Sequence, residues 1–275
     1  MTPNSSEEPD PQSLVEQPTG RVLRLQPDWE KWLSLLPKLS SSAYVVRGRG
    51  AIFCRCERFP TVEFHGDQAR SCSGDRGLTL NLAHWSEAWW YQEQRNGRLF
   101  PCIEFADSLG RGILKVCYPS AREAKRDLST IEDLSLYEGN EWDILHLRRS
   151  NVMDCEFCRD GCKKNRYTDD VCEILSESAS RSAELHFIVP NEGAVVWDTI
   201  RATQPGGTGC WVCLSGVGRY LHLQPASYQK AEVIDGGPRS VASFTDMEGS
   251  PALTLIESDG CRLKSMASLA KRLYS

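Results

Sequence analysis

Apolar residues recur along this chain at two different periods. Trp29, Trp32, Leu33 and Leu36 fall at i, i+3, i+4 and i+7, which is one face of a helix, and Asp28 stands where an N-cap carboxylate belongs. Pro37 sits near the end of that helix. From Ala43 the period drops to two. Ala43–Arg47, Ala51–Cys56, Thr61–His65, Leu78–Leu82, Glu87–Gln92, Phe100–Phe105 and Ile113–Tyr118 are short runs bounded by turn residues, as in an antiparallel meander. A helix is predicted over 120–128.

Residues 129–183 are polar and cysteine-rich and form a connector with one helical candidate near Asp169–Ala179. The strand pattern then returns in Leu185–Val189, Ala194–Ile200, Gly209–Leu214, Tyr220–Leu223, Ser227–Ile234, Ser240–Phe244 and Leu253–Ile256. An amphipathic helix from Arg262 to Leu273 places Leu263, Met266, Leu269 and Ala270 on one side. The second half echoes the first. Gly50-Ala51-Ile52-Phe53 resembles Gly193-Ala194-Val195-Val196, and Leu80-Asn81-Leu82 resembles Leu221-His222-Leu223. Phe105-Ala106-Asp107 with Gly110 resembles Phe244-Thr245-Asp246 with Gly249. The pattern predicts an α+β fold made of two similar repeats of antiparallel sheet with flanking helices, 21–128 and 184–275. Residues 1–20, rich in Pro, Ser and acidic side chains, are expected to be a disordered tail.

Composition narrows the classes. Of 275 residues 40% are hydrophobic and 25% charged, as in ordinary globular proteins. Thirty-two basic against 37 acidic residues, a net charge of −5, disfavour a general nucleic-acid coat. No run of apolar residues is long enough to span a bilayer, so no membrane partner is expected. Residues 1–20 carry no basic residue and no apolar h-region, so a secretory leader is not expected and the cytoplasm is the default. The twelve cysteines are then read as reduced thiols first and metal ligands second.

Several strand motifs together are similar to a known family. Leu78-Thr79-Leu80-Asn81-Leu82-Ala83-His84-Trp85, Trp89-Trp90, Ile103-Glu104-Phe105-Ala106-Asp107 with Gly110, and Leu114-Lys115-Val116 resemble the N-terminal repeat of the haemin-handling HemS/ChuS-type family. Tyr220-Leu221-His222-Leu223, Ala231-Glu232-Val233 and Ser240-Val241-Ala242-Ser243-Phe244 with Gly249 resemble its C-terminal repeat. The likeness spans about residues 33–125 and 185–257. It implies two stacked repeats, each a large antiparallel sheet, with haem bound in a cleft between the halves. Some members transport haem and others open its ring. Asn81 stands where the family carries an arginine, and Glu232 where it carries a tryptophan.

The candidate chemistry follows from that resemblance and from the residues. His146, the one histidine of the connector, can ligate haem iron as a neutral imidazole, with Arg148 and Arg149 beside it for the anionic propionates. His222 and Asn81 are expected at corresponding places in the two repeats, pointing away from the flanking leucines. Trp85, Trp89 and Trp90 form either a wall for a flat ring or ordinary sheet packing. Cys155, Cys158, Cys162 and Cys172 are spaced for a structural zinc site, and six basic residues in 148–166 would offset four thiolates. The alternative is a reduced cysteine-rich loop. Phosphate-loop, zinc-protease and nucleophile-elbow motifs are absent from the sequence, and no catalytic residue is assigned. The leading expectation is a haem or tetrapyrrole binder. The alternatives are a haem-degrading enzyme, or a non-haem scaffold holding zinc or a partner.

Overall fold

The computed structural model describes residues 21–95, 98–144, 166–201, 205–208, 211–235, 239–258, 263–266, 269 and 273. The first repeat contains β1 (Val22–Leu25), α1 (Trp29–Leu35), β2 (Ala43–Gly48), β3 (Ala51–Arg55), β4 (Glu63–His65), β5 (Gln68–Ser73) and β6 (Arg76–Asn81). It continues with β7 (Glu87–Arg95), β8 (Arg98–Ala106), β9 (Gly112–Cys117), α2 (Ala121–Asp133) and β10 (Ser135–Gly139). After α3 (Arg166–Ser180) the second repeat supplies β11 (Glu184–Pro190), β12 (Ala194–Arg201), β13 (Pro205–Thr208), β14 (Trp211–Gly216) and β15 (Arg219–Leu223). It ends with β16 (Tyr228–Asp235), β17 (Ser240–Asp246) and β18 (Pro251–Glu257). Helical residues 264–266, 269 and 273 follow.

The strands form two antiparallel sheets, and neither belongs to one repeat. The ten-stranded sheet runs β10-β1-β7-β8-β9-β2-β3-β15-β14-β13, and the eight-stranded sheet runs β16-β17-β18-β11-β12-β6-β5-β4. The first repeat keeps seven strands together and the second five, and each sends its middle three into the sibling's sheet. The two repeats of antiparallel sheet expected from the sequence are present, and the strand order adds an exchange between them. The chain leaves its own sheet after β3 and after β12, because β3 and β12 each take their outer partner from the other half (β15 and β6).

The exchange follows a pseudo-two-fold, and its register can be read bond by bond. Asn81 N donates to Gly193 O at 2.9 Å, and Gln224 N donates to Gly50 O at 2.8 Å. Trp85 Nε1 donates to the same Gly193 carbonyl at 3.1 Å, and Tyr228 OH to that of Gly50 at 2.8 Å. In the β8–β9 turn Asp107 Oδ1 accepts from the amides of Leu109 and Arg111, and in the β17–β18 turn Asp246 Oδ1 accepts from those of Glu248 and Ser250. Gly110 and Gly249 complete the two turns at φ of 72° and 79°, where an L side chain is strained. The register also corrects one expected equivalence. Ala51 faces Leu223 and Ala194 faces Leu80, so Asn81 matches Gln224 and His222 matches Thr79. Alternating leucines tolerate a two-residue slip, which sequence similarity does not resolve.

Inner faces of both sheets share one core with the helices. Trp29 and Trp32 of α1 meet Phe105 at 6.3 and 6.5 Å, and Tyr167 of α3 meets the equivalent Phe244 at 6.2 Å. Phe53 and Phe187 touch across the sheets at 4.9 Å. The fully buried ones among these side chains are each worth about 1.5–3 kcal/mol. Strands β1, β5, β10 and β13 carry no predicted run; β5 (Gln-Ala-Arg-Ser-Cys-Ser) and β13 (Pro-Gly-Gly-Thr) have little apolar alternation to read.

Two ion pairs lie on the pseudo-axis. Arg55 Nη1 is 2.6 Å from Asp198 Oδ2, and Arg49 Nη2 is 2.7 Å from Glu192 Oε1. The partners of each pair are 143 residues apart and hold equivalent positions. On a true two-fold each would meet its own copy, arginine against arginine. Arg55 and Asp198 are 5% and 2% exposed, so this pair is desolvated. Removing one member of a buried pair costs about 3–5 kcal/mol. Asp198→Ala is therefore expected to lower the unfolding free energy by about 3 kcal/mol in urea, and the double variant Arg55→Leu/Asp198→Leu to recover most of it. A single-variant loss under about 1 kcal/mol would show that the pair is dispensable.

Candidate functional site

The outer face of the ten-stranded sheet is half covered and half open. One row across it reads Tyr137, Arg24, Trp89, Glu104, Lys115, Val45, Cys54, Tyr220. On the covered half Trp89, Tyr91, Cys102, Ala106, Val22 and Ile144 make a second apolar cluster. Charges are buried within it. Lys115 pairs with Glu93, the Tyr91 hydroxyl donates to Glu104, and Arg47 Nη1 lies 3.8 Å from Glu104. Lys115 is 1% exposed and Glu104 0%. Burial alone would lower the Lys115 ammonium, but the fields of Cys102, Glu93 and Glu104 outweigh it and its pKa is raised. Burial pushes the Tyr91 and Cys102 protons up as well. Two cations and two carboxylates balance, so this half is a closed structural network. Trp85, Trp89 and Trp90 are all buried, and packing is their role in the chain.

On the open half, His222 of β15 faces Cys213 of β14 in register, with Nδ1 2.9 Å from Sγ. Tyr220 stacks on the imidazole at 6.5 Å and 18°. Burial lowers the His222 pKa and raises that of Cys213. The pair at neutral pH is a thiol and a neutral imidazole.

The eight-stranded sheet presents a different outer face. Alternation puts Leu185, Phe187 and Val189 in the core and His186 and Ile188 outside. Ile188 faces Trp197, which faces Gly77. A Cβ at Gly77 would collide with the Trp197 indole, so the glycine lets the ring lie flat on the sheet. His186 Nδ1 is 2.7 Å from Thr199 Oγ1. Beside it opens a cavity of about 680 Å³ lined by His186, Arg181, Arg201, Arg239, Ser182 and Asp75, among others. Glu177 holds Arg181 at 3.3 Å and Glu184 holds Arg201 at 3.1 Å, which fixes both guanidiniums. Asp75 comes from the β5–β6 turn of the first repeat and the arginines from the second, so the strand exchange builds this cavity from both halves.

The sequence candidates fall in different places. Asn81 ends β6 in the eight-stranded sheet and His222 lies in the ten-stranded one, so the two are not brought together. His146, Arg148, Arg149, Cys155, Cys158 and Cys162 lie outside the described residues. So do residues 1–20. Cys172 is half-buried on α3 against the main core. Among the described residues no group of three or more His, Cys, Asp or Glu side chains could hold a metal, and zinc gains no support. Among them, too, no helix is long and apolar enough to cross a membrane. His186 and its arginines went unnoticed in the sequence because they converge only once β17, β18, β11 and β12 are ordered side by side.

No protein-family model and no curated protein matches the sequence. Solved structures do match. The haem-degrading enzyme ChuS of Escherichia coli O157:H7 aligns over 90% of this chain and 86% of its own at 17% identity, with a TM-score of 0.66. Holo-PhuS, a haem-binding protein from Pseudomonas aeruginosa, aligns over 90% and 86% at 15% identity, with a TM-score of 0.67. The chain has the two-repeat HemS/ChuS-type fold that its strand motifs imply.

The neutral Cys213–His222 pair sets a pH window. Below the unfolded histidine value of 6.5 the unfolded chain binds a proton that the folded imidazole resists. Above the unfolded thiol value of 9.0 the unfolded chain releases a proton that the folded thiol keeps. The pair therefore subtracts stability on both sides of this window and nothing within it. Urea unfolding at pH 7.5 and 5.0 should show a smaller acid loss for His222→Gln than for wild type. Equal losses would contradict the burial of His222 as the cause.

Proposed function

We propose that a chain with the fold of ChuS and PhuS binds haem or a related flat tetrapyrrole. The observation that supports this most is the extent of the shared fold, 90% of the chain. The described residues fit such a ligand chemically at the foot of the eight-stranded sheet. The cavity lies within the range of about 300–1,000 Å³ typical of cofactor sites. His186 has Nδ1 engaged by Thr199 and no partner for Nε2 among the described residues, an arrangement that orients an imidazole ligand. Arg181, Arg201 and Arg239 suit the two propionates. Ile188 and Trp197 lie next along the same outer face of β11 and β12. Bound haem would supply an iron centre with redox and oxygen chemistry. The chain's part is to ligate through a neutral imidazole, pair the carboxylates and shield one face from water.

The connector carries a second candidate set, with His146 as axial ligand and Arg148 and Arg149 on the propionates. Asn81 and His222 complete the set proposed from sequence, on opposite sheets. Binding without ring opening is the reading favoured here, since Asn81 stands where the resembling family carries an arginine.

Haem titration of wild type, His186→Ala and His146→Ala, followed by the Soret band, tests this proposal. Wild type is expected to bind stoichiometrically. His186→Ala is expected to shift the band and weaken affinity by about tenfold or more, as loss of an axial ligand does. Loss in His146→Ala instead would move the ligand to the connector. No spectral change with wild type would overturn haem binding altogether.

A further inference from the structure

The open half of the ten-stranded sheet carries a second constellation, apart from the cavity beside His186. Cys213 and His222 stand opposite each other on neighbouring strands, so the backbone fixes their separation. A thiol lies within hydrogen-bond reach of an imidazole, and the Tyr220 ring lies nearly parallel to that imidazole at 6.5 Å. Nucleophile, base and orienting group are the three parts of an activated thiol. One place earlier on the same face of β14, Trp211 is 9% exposed and its indole N–H has no acceptor among the described residues. A buried donor left unpaired costs about 1–3 kcal/mol, which an acceptor arriving from outside would recover.

We propose that Cys213 is a thiol-exchange site for small disulfides, with His222 as its base and the Trp211 indole as a donor to the incoming molecule. The resting pair is uncharged, because burial disfavours both thiolate and imidazolium. As Sγ attacks one sulfur of the disulfide, Nδ1 takes the thiol proton. The disulfide's own S–S bond breaks and a new one forms to Cys213. The departing half leaves as a thiolate and recovers the proton from His222. One thiol and one disulfide become one mixed disulfide and one thiol, so electrons and protons balance with no further reactant. Cys56 and Cys72 are more exposed than Cys213 but have no such base described beside them.

The test treats the full-length chain with oxidised glutathione at pH 7.5, quenches with acid at short times, and maps each cysteine by peptide mass. Cys213 is expected to react about tenfold or more faster than the exposed Cys56 and Cys72, in line with a positioned base. His222→Gln is expected to slow Cys213 by about the same factor and leave Cys56 and Cys72 unchanged. Added imidazole is expected to restore part of the rate in His222→Ala, which a purely structural histidine would not allow. Buried Cys102 should stay unmodified in every variant, showing that the fold persists. Reaction at Cys213 no faster than at Cys56 and Cys72, or at the same rate in His222→Gln, would overturn the proposal. The result is independent of haem binding, which the titration reads separately.

Discussion

The structure depends on an exchange of strands across a pseudo-two-fold and on the desolvated charge at its centre. A duplicated chain could fold as two separate sheets laid together. Here β6 hydrogen-bonds to β12 and β15 to β3, so each sheet is completed only by its sibling. Backbone groups of β3 and β12 would otherwise be sheet edges in the middle of the molecule, unpaired and buried. Arg55 against Asp198 and Arg49 against Glu192 then distinguish one half from the other. Opposite charges at equivalent positions are available only to repeats that share a chain and have diverged. The interface between halves is therefore a specified heterotypic one, and the molecule is one folding unit.

That exchange also places the chemistry. Because β5 and β6 belong to the second repeat's sheet, the Asp75 turn closes the cavity around His186. Because β14 and β15 belong to the first repeat's sheet, Cys213 and His222 stand on a face otherwise made by the first repeat. The two outer faces have diverged as well. The first repeat buries Lys115 and Glu104 under Trp89 and Ile144, where the second carries Thr254, Ser243 and Glu232 on a more open surface. Half of one face is closed by a balanced ionic network, and the other face carries the cavity beside His186.

Much of the fold was legible in the sequence. The helix at Trp29, most long strands, the duplication and the paired Asp-x-x-Gly turns all carry local signals that act within a few residues. The exchange was not legible, since alternation states which face a side chain takes and not which strand lies beside it. The same blindness produced the two-residue slip that matched Asn81 with His222. The candidate site suffered most. His186 looks like an ordinary outer-face residue until β12 brings Thr199 against it, and Cys213 looks like a small core residue until β15 brings His222. The cysteine spacing that suggested zinc is undemanding, and Cys172, its one described member, packs against the core.

The central claim is that the repeats trade their middle strands, and backbone NMR reads it directly. Cross-strand contacts between Leu80 and Ala194 and between Ala51 and Leu223 are predicted, with slow exchange of the amides that link them. Pairing of β6 with β3 and of β15 with β12, in place of these partners, would contradict the account, along with the composite cavity built on it.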